Sequence, residues 1–223
     1  VDHFAKMFGD KYGIRVTTVK AGTGELLNRI KAERGRPAGD IMWGGFADTG
    51  ASAPDLFDEY RSPSLANVEP RMIDAKGYNT PFAATAMVIM YNKKLVPADR
   101  APKSWADLAK PEFKGKILMA NPAQSGSAYS QMHQILMLYG WETMEKIIQN
   151  ATFVSSSKLA FQNVAKGEIA MGLTSEFNVV QSKEEGFPVE AIYPADGTAL
   201  INDGNALIKG GPNAASAQKF LDY

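Results

Sequence analysis

Strand-like and helix-like segments alternate along this chain, and the alternation limits the folds that it can adopt. Apolar, β-branched runs at residues 81–91 and 116–120 have the composition of buried strands, and segments with helical periodicity separate such runs. Alternation of this kind is typical of parallel sheets that carry helices on both faces. The pattern therefore predicts an α/β fold with mixed, mostly parallel sheets.

Small polar residues occupy the junction between a predicted strand and a helix at four places. These junctions are residues 21–24, which follow a predicted strand at 14–20, and residues 124–127, 155–157 and 174–176. In open α/β sheets, ligands bind beyond the carboxyl ends of the strands, where helix N termini favour anions. Serine or glycine also caps helices, so capping alone accounts for any one junction taken singly. We predict that the last three junctions meet and bind an anion.

Charge and composition exclude several classes of function. Lys+Arg and Asp+Glu number 24 each, so no overall field favours nucleic acid or an acidic membrane. The chain has no cysteine, which excludes disulfides and thiolate metal sites. All seven arginines lie within the first hundred residues, so the last three junctions would hold an anion with neutral donors and helix dipoles. Reversible binding of this kind suits a carrier better than a phosphoryl-transfer enzyme.

Residues that could form a catalytic centre are missing from the sequence. No nucleophile–base pair is recognisable around His3 or His133, and a cysteine nucleophile is excluded. A glycine-rich phosphate loop with its lysine is also missing. We therefore predict a protein that is not an enzyme and needs no cofactor, and an enzyme on the same fold is the least favoured alternative.

Four blocks of sequence resemble bacterial extracellular solute-binding proteins, in the order seen in that family. They are PFAATAMVIMYNKKLV, PKSWADLAKPEFKGKILMANPAQSGSAY, VAKGEIAMGLTSEF and NDGNALIKGGPNAASAQKFLDY. The resemblance is to the ferric-iron-binding-like branch, which also contains binders of sugar phosphates and phosphonates. It covers essentially the whole chain.

The resemblance implies a two-lobed fold of the periplasmic-binding-protein type (type II), with two crossing strands joining the lobes. Lobe one would comprise residues 1–83 and 195–223, and lobe two residues 84–194. The first strand and the last helices of the family pattern are expected to be missing. The implied protein is a monomer in the periplasm, or a cell-surface lipoprotein in a Gram-positive organism. It captures a small anionic solute between its lobes and meets a membrane ABC permease transiently.

The resemblance also implies which residues form the anion site. Ser125, Gly126 and Ser127 match the turn that cradles an anion in the family. Ser156 falls near a second contact, and Thr174 and Ser175 fall near a third.

Two positions separate this chain from the ferric binders of the same branch. Those proteins carry an adjacent tyrosine pair where this chain has Glu176-Phe177, and a carboxylate where it has Trp43-Gly44-Gly45. A phenyl ring cannot ligate a metal, so we predict no metal site. A phosphorylated or phosphonate solute is favoured, and the alternative is an Fe(III) carrier that uses Glu176, other oxygens and a synergistic anion.

Three further residues are predicted to contact the organic part of the solute. Trp43 ends a strand, where its ring could stack on a sugar or belong to the core. Glu176 could accept two hydroxyls or pair with an ammonium, or serve only as a helix-start carboxylate. Asp203 could lie in an apolar strand, where a charge is costly unless it is exposed or paired. The alternative is that it lies in a turn before that strand.

Overall fold

The structure is a computed structural model and describes residues 1–44 and 53–223. Its α-helices are α1 (Asp2–Tyr12), α2 (Thr23–Ala32), α3 (Gly126–Asn150), α4 (Ser157–Lys166), α5 (Glu176–Glu184) and α6 (Ala214–Asp222). Its strands are β1 (Ile41–Trp43), β2 (Phe57–Asp58), β3 (Thr80–Asn92), β4 (Ile117–Ala120), β5 (Ala151–Val154), β6 (Met171–Ser175), β7 (Val189–Ile192) and β8 (Leu200–Ile208). Short 3₁₀ helices connect several of these elements. No helix of the described ranges is long and apolar enough to cross a membrane.

The described residues form two compact units. The first comprises Val1–Ala84 and Asn202–Tyr223, and the second comprises Thr85–Ile201. The second unit ends at residue 201, where the sequence had predicted residue 194. Hydrogen bonds account for the difference, because the N–H of Ala199 donates to Gln134 Oε1 at 2.7 Å within the second unit.

Strand directions correct the prediction of mostly parallel sheets. β4 pairs in parallel with β5 and with β6. Four further pairings are antiparallel: β3 with β6 and β7 in the second unit, and β8 with β1 and β2 in the first. Alternating strands and helices do not fix the direction of strands that are neighbours in space but distant in sequence, and β3 and β8 run opposite to these neighbours. The sheet is mixed, and its parallel part lies around β4.

The predicted strand at residues 14–20 is wrong. These residues pair with no strand in the described ranges, and most of their side chains are exposed. Thr18 and Lys20 instead contact the carboxylate of Asp2 through their side chains. An alternating pattern predicts a strand only where a partner supplies the other half of the ladder, and here none does.

The second unit has a hydrophobic core on each face of its sheet. Alternate residues of β3 point to opposite faces, so Ile89 packs with α3 residues such as Ile135, whereas Met90 packs with Val164 of α4 and Val179 of α5. Helices therefore cover both faces, as predicted. Within α3, Gly140 has φ 71° and ψ −176°, which breaks the helix where the sequence predicted a stop.

The first unit buries apolar residues of β1, β2 and β8 against α2. Met42, Phe57 and Ala206 are buried there, and Leu26 and Leu27 of α2 pack against them. A second cluster consists of aromatic rings from α1, β1, the start of β3, and α6 with the residue that follows it. Its members are Phe4, Phe8, Tyr12, Trp43, Phe82, Phe220 and Tyr223.

Candidate functional site

Three helices of the second unit begin at one edge of its sheet. β4 lies between β5 and β6 and is parallel to both, so the carboxyl ends of these strands share that edge. The chain leaves β4 to begin α3, leaves β5 to begin α4, and passes directly from β6 into α5. Each helix N terminus carries unpaired N–H groups and the positive end of a dipole. This end of the sheet, where α3, α4 and α5 begin, is called the cradle below. It combines hydrogen-bond donors and positive potential without a guanidinium group.

Ser125 and Ser127 lie at the start of α3. Ser125 is buried and is the N-cap, and its Oγ accepts the N–H of Ala128 at 3.4 Å. The Oγ atoms of the two serines are 3.1 Å apart. The N–H groups of Gly126 and Ser127 have no acceptor within the described part of the chain. Ser125 is thus a cap, and the unpaired amides beside it are free to bind an anion.

Ser156 is the N-cap of α4, and its Oγ accepts the N–H of Leu159 at 3.3 Å. Lys158 lies in the first turn of the same helix, is exposed, and forms no ion pair with any described residue. A cation in a first turn opposes the helix dipole. Lys158 therefore places a positive charge near the start of α4, and a count of arginines alone does not reveal it.

Thr174 and Ser175 end β6 and lead into α5. Thr174 is 1 % exposed, and its Oγ1 accepts the side-chain amide of Asn178 at 2.8 Å. Ser175 is the N-cap of α5, is partly exposed, and makes no capping hydrogen bond with its side chain. The hydroxyl of Ser175 is therefore not committed to the helix, whereas that of Thr174 is fixed by Asn178.

Glu176 is held by two donors of the second unit. Its Oε1 accepts the N–H of Ala86 in β3 at 3.0 Å, and its Oε2 accepts the hydroxyl of Tyr193 at 2.8 Å. This hydrogen bond, with partial burial, raises the pKa of Tyr193. Tyr193 is 56 % exposed and follows β7. Sequence reasoning missed it, because no periodicity or spacing links it to Glu176.

Trp43 and Asp203 belong to the first unit. The Trp43 ring lies 5.0 Å from the rings of Phe4 and Phe82, centroid to centroid, so it is part of the aromatic cluster and remains partly exposed. Asp203 lies within β8, and the proposed turn before that strand is therefore wrong as an explanation for it. Asp203 is two residues from Asn205, which pairs with Trp43 across β1 and β8.

The sequence predicted no metal site, and its two histidines lie on α1 and α3. His3 is exposed on α1, and His133 stacks on Tyr129 with the ring planes 8° apart. Within residues 1–44 and 53–223, no three side chains of His, Cys, Asp or Glu are grouped to hold a metal. Gly45, part of the segment compared with the ferric binders, lies outside the described residues.

Two solved structures show the same fold at more than a quarter sequence identity. One is the periplasmic binding protein AfuA from Actinobacillus pleuropneumoniae with exogenous fructose-6-phosphate bound, at 27% identity and a TM-score of 0.92, covering 99% of this chain and 74% of that chain. The other is iron-bound HitA from Pseudomonas aeruginosa, at 26% identity and a TM-score of 0.84, covering 98% and 74%. The periplasmic-binding-protein fold predicted from the sequence is confirmed.

A curated relative has a description that includes a transport role. It is a probable ABC transporter periplasmic-binding protein of Sinorhizobium fredii, 26% identical over 227 residues, which cover 95% of this chain and 62% of the relative. The chain thus spans less than two thirds of the length of that relative, and about three quarters of each of the two solved structures.

A family model decides the membership of the chain. The model, described as bacterial extracellular solute-binding protein, matches residues 3–223. The predicted location outside the cytoplasmic membrane is confirmed, and the family is one of binding proteins rather than enzymes. This chain belongs to the bacterial extracellular solute-binding protein family.

Proposed function

We propose that this protein binds a small phosphorylated or phosphonate solute at the cradle. The observation that carries the proposal is the start of α3, α4 and α5 beyond three adjacent parallel strands, each start bearing a serine. Phosphate oxygens accept hydrogen bonds and carry negative charge, which is what amides at helix N termini recognise. The fructose-6-phosphate bound to AfuA supports this class of ligand.

The site proposed for the anion consists of residues from all three junctions. Ser175 and the N–H groups of Gly126 and Ser127 are the donors that stay uncommitted within the described residues. Ser125 and Ser127 share one hydrogen bond between their hydroxyls, so one of their two protons is available. The hydroxyls of Ser156 and Thr174 accept hydrogen bonds from the protein, which leaves their protons available. Glu176, Trp43 and Asp203 keep their predicted role toward the organic part.

In this proposal the protein is a carrier that delivers its solute to a membrane ABC permease. The similarity to the probable ABC transporter periplasmic-binding protein supports this role. Binding by neutral donors is reversible, so release to a permease requires no chemical step. We propose that the carrier acts as a monomer and meets the permease only transiently.

An Fe(III) carrier is the second candidate, because two observations favour it. The iron-bound HitA structure shares the fold. In addition, Glu176 and Tyr193 offer a carboxylate and a phenol oxygen 2.8 Å apart, and hard oxygens suit Fe(III). Phe177 argues against an Fe(III) carrier. It occupies a position of the ferric binders' tyrosine pair, and its phenyl ring cannot ligate a metal.

Native mass spectrometry of the purified protein, followed by calorimetric titration, tests the proposal. We expect a co-purified phosphorus-containing solute, or one-to-one binding of fructose 6-phosphate, a phosphonate or inorganic phosphate. The proposal is wrong if none of these compounds binds while Fe(III) binds stoichiometrically.

A further inference from the structure

Tyr193 forms a hydrogen bond that could not be expected from the sequence. The hydroxyl of this half-exposed residue reaches Glu176, which lies seventeen positions earlier and immediately follows Ser175 of the cradle. The hydroxyl donates to Oε2 of Glu176, whereas Oε1 accepts the backbone N–H of Ala86 in β3. Tyr193 therefore fixes the second oxygen of a carboxylate whose residue directly follows Ser175, one of the cradle's serines.

The two donors leave the Glu176 carboxylate oriented but not saturated. An ionised carboxylate has about four lone-pair sites. Ala86 takes one site on Oε1 and Tyr193 takes one on Oε2. As far as the described residues go, one site on each oxygen therefore remains for a donor from a ligand. A group that is held in place before binding loses less conformational entropy on binding.

The charge of Glu176 acts against a bare anion. A carboxylate beside a second anion disfavours the charged form of both. Inorganic phosphate at the cradle would face this repulsion without compensation. A phosphorylated solute that carries a hydroxyl or ammonium near its phosphorus atom would place that donor between the two charges. Selection by an unfavourable contact with the wrong ligand is a common source of specificity.

We infer that Tyr193 is a specificity-determining residue that positions Glu176 to select organic phosphates or phosphonates bearing a hydroxyl or ammonium donor over inorganic phosphate. The inference rests on the proposed function, since it needs an anion at the cradle. It assigns to Tyr193 a positioning role through Glu176.

The test compares Tyr193→Phe with wild type in calorimetric titrations of fructose 6-phosphate, 2-aminoethylphosphonate and inorganic phosphate. Phenylalanine keeps the exposed ring and removes only the hydroxyl, so the fold is retained. We expect the affinity for whichever organic probe binds to fall about tenfold, the scale of one hydrogen bond to a charged group. The affinity for inorganic phosphate should change less than about twofold.

Tyr139→Phe is the matched control. Tyr139 also donates its hydroxyl to a carboxylate of the second unit, that of Asp196. Its loss should lower stability and should affect all three probes equally. A double variant, Tyr193→Phe with Glu176→Gln, should bind the organic probe no more weakly than Glu176→Gln alone, because the hydroxyl acts through the carboxylate.

The outcomes separate this inference from the proposed function. If wild type binds none of the three probes, the proposed function fails and the inference fails with it. If wild type binds inorganic phosphate as well as the organic probes, or Tyr193→Phe weakens all of them equally, the anion site stands and the selective role of Tyr193 is overturned. Additive losses in the double variant would overturn it too.

Discussion

A serine hydroxyl at a helix start has the capacity to cap the helix and to bind an anion at once. The hydroxyl has two acceptor lone pairs and one proton. Ser125 uses a lone pair for the N–H of Ala128, and its oxygen is 3.1 Å from that of Ser127. The proton of one serine can serve the other serine while the remaining proton points to a ligand. Capping and anion binding are therefore compatible at this position.

Gly172 of β6 is a residue at which even a methyl group would disturb the sheet beneath the cradle. A Cβ built there would lie 2.9 Å from the carbonyl oxygen of Leu118 and 3.1 Å from a methyl group of Val164. Gly172→Ala should therefore lower the free energy of unfolding by about 1–3 kcal/mol through overpacking. Denaturant titration measures the change.

Gly35→Ala is the control for this prediction. Gly35 is exposed, and a Cβ there would meet no atom within 4 Å. Its substitution should leave stability within about 0.5 kcal/mol of wild type. Equal stability of Gly172→Ala and wild type would show that β4 and α4 shift to admit the methyl group.

At the residue scale, the sequence allowed prediction of the chemistry that depends on local order. Capping was expected at the serine-containing junctions because a cap and its helix are neighbours in the chain, and Ser125 and Ser156 are the N-caps of α3 and α4. The partners of Glu176 could not be predicted, because Ala86 and Tyr193 reach it only through the pairing of β3 with β6 and β7.

Elements were predictable where a strand had a buried apolar run. β3, β4 and β6 follow such runs, and the helices after β4, β5 and β6 begin at the predicted junctions. Residues 14–20 alternate in the same way but have no partner strand in the described ranges. Strand direction was not predictable either, since it depends on which distant strands become neighbours.

The segment between β7 and β8 is fixed to the second unit by a small hydrogen-bond network. The carboxylate of Asp196 accepts the backbone N–H of Trp105 at 3.0 Å and the hydroxyl of Tyr139. The indole N–H of Trp105 and the amide of Gln134 both donate to the carbonyl oxygen of Gly197, at 2.9 and 3.2 Å. These bonds connect the segment to Trp105 and to two residues of α3, Gln134 and Tyr139.

This network predicts a loss of stability at alkaline pH. The hydrogen bond to Asp196 raises the pKa of Tyr139 from 10.0 to about 12. The folded state therefore holds this proton more tightly than the unfolded state does. The stabilisation is complete below pH 10, and it is lost as the pH rises toward 12. Thermal melts should show a falling melting temperature across that range.

Tyr139→Phe checks the origin of that fall. The variant should melt lower than wild type at neutral pH and should lose less stability between pH 10 and 12. Some loss should persist, since burial and a bond to Asp222 also raise the pKa of Tyr60 to about 12. An unchanged slope in Tyr139→Phe would mean that Tyr139 does not titrate differently on folding.

At the scale of the whole molecule, net charge cannot select the ligand. Basic and acidic residues are equal at 24 each, so no overall field draws anions from solution. Family membership was predictable from four sequence blocks between residues 81 and 223, whereas the solute was not, since two similar solved structures hold different ligands, fructose-6-phosphate and iron. Selection must come from the local chemistry of the site.

Iron titration separates the two candidate solutes. The chain has Phe177 at a position of the ferric binders' tyrosine pair, so we expect no saturable Fe(III) binding in the presence of citrate or phosphate. Visible absorption during the titration measures it. A stoichiometric charge-transfer band would contradict this expectation, and its loss in Tyr193→Phe would identify Tyr193 as an iron ligand.

The start of α3 is proposed to bind a phosphate-containing solute, and Ser127→Ala is the variant that tests this proposal. Ser127 is not the cap of α3, so its hydroxyl can be removed with little effect on the helix. Calorimetric titration with fructose 6-phosphate should show an affinity lowered about ten- to hundredfold, as expected for one hydrogen bond to a charged acceptor. Ser125→Ala should show the same loss together with about 1 kcal/mol of lost stability from the cap. Unchanged dissociation constants in both variants, with a lower melting temperature only in Ser125→Ala, would contradict the claim and leave the two serines as parts of a helix start.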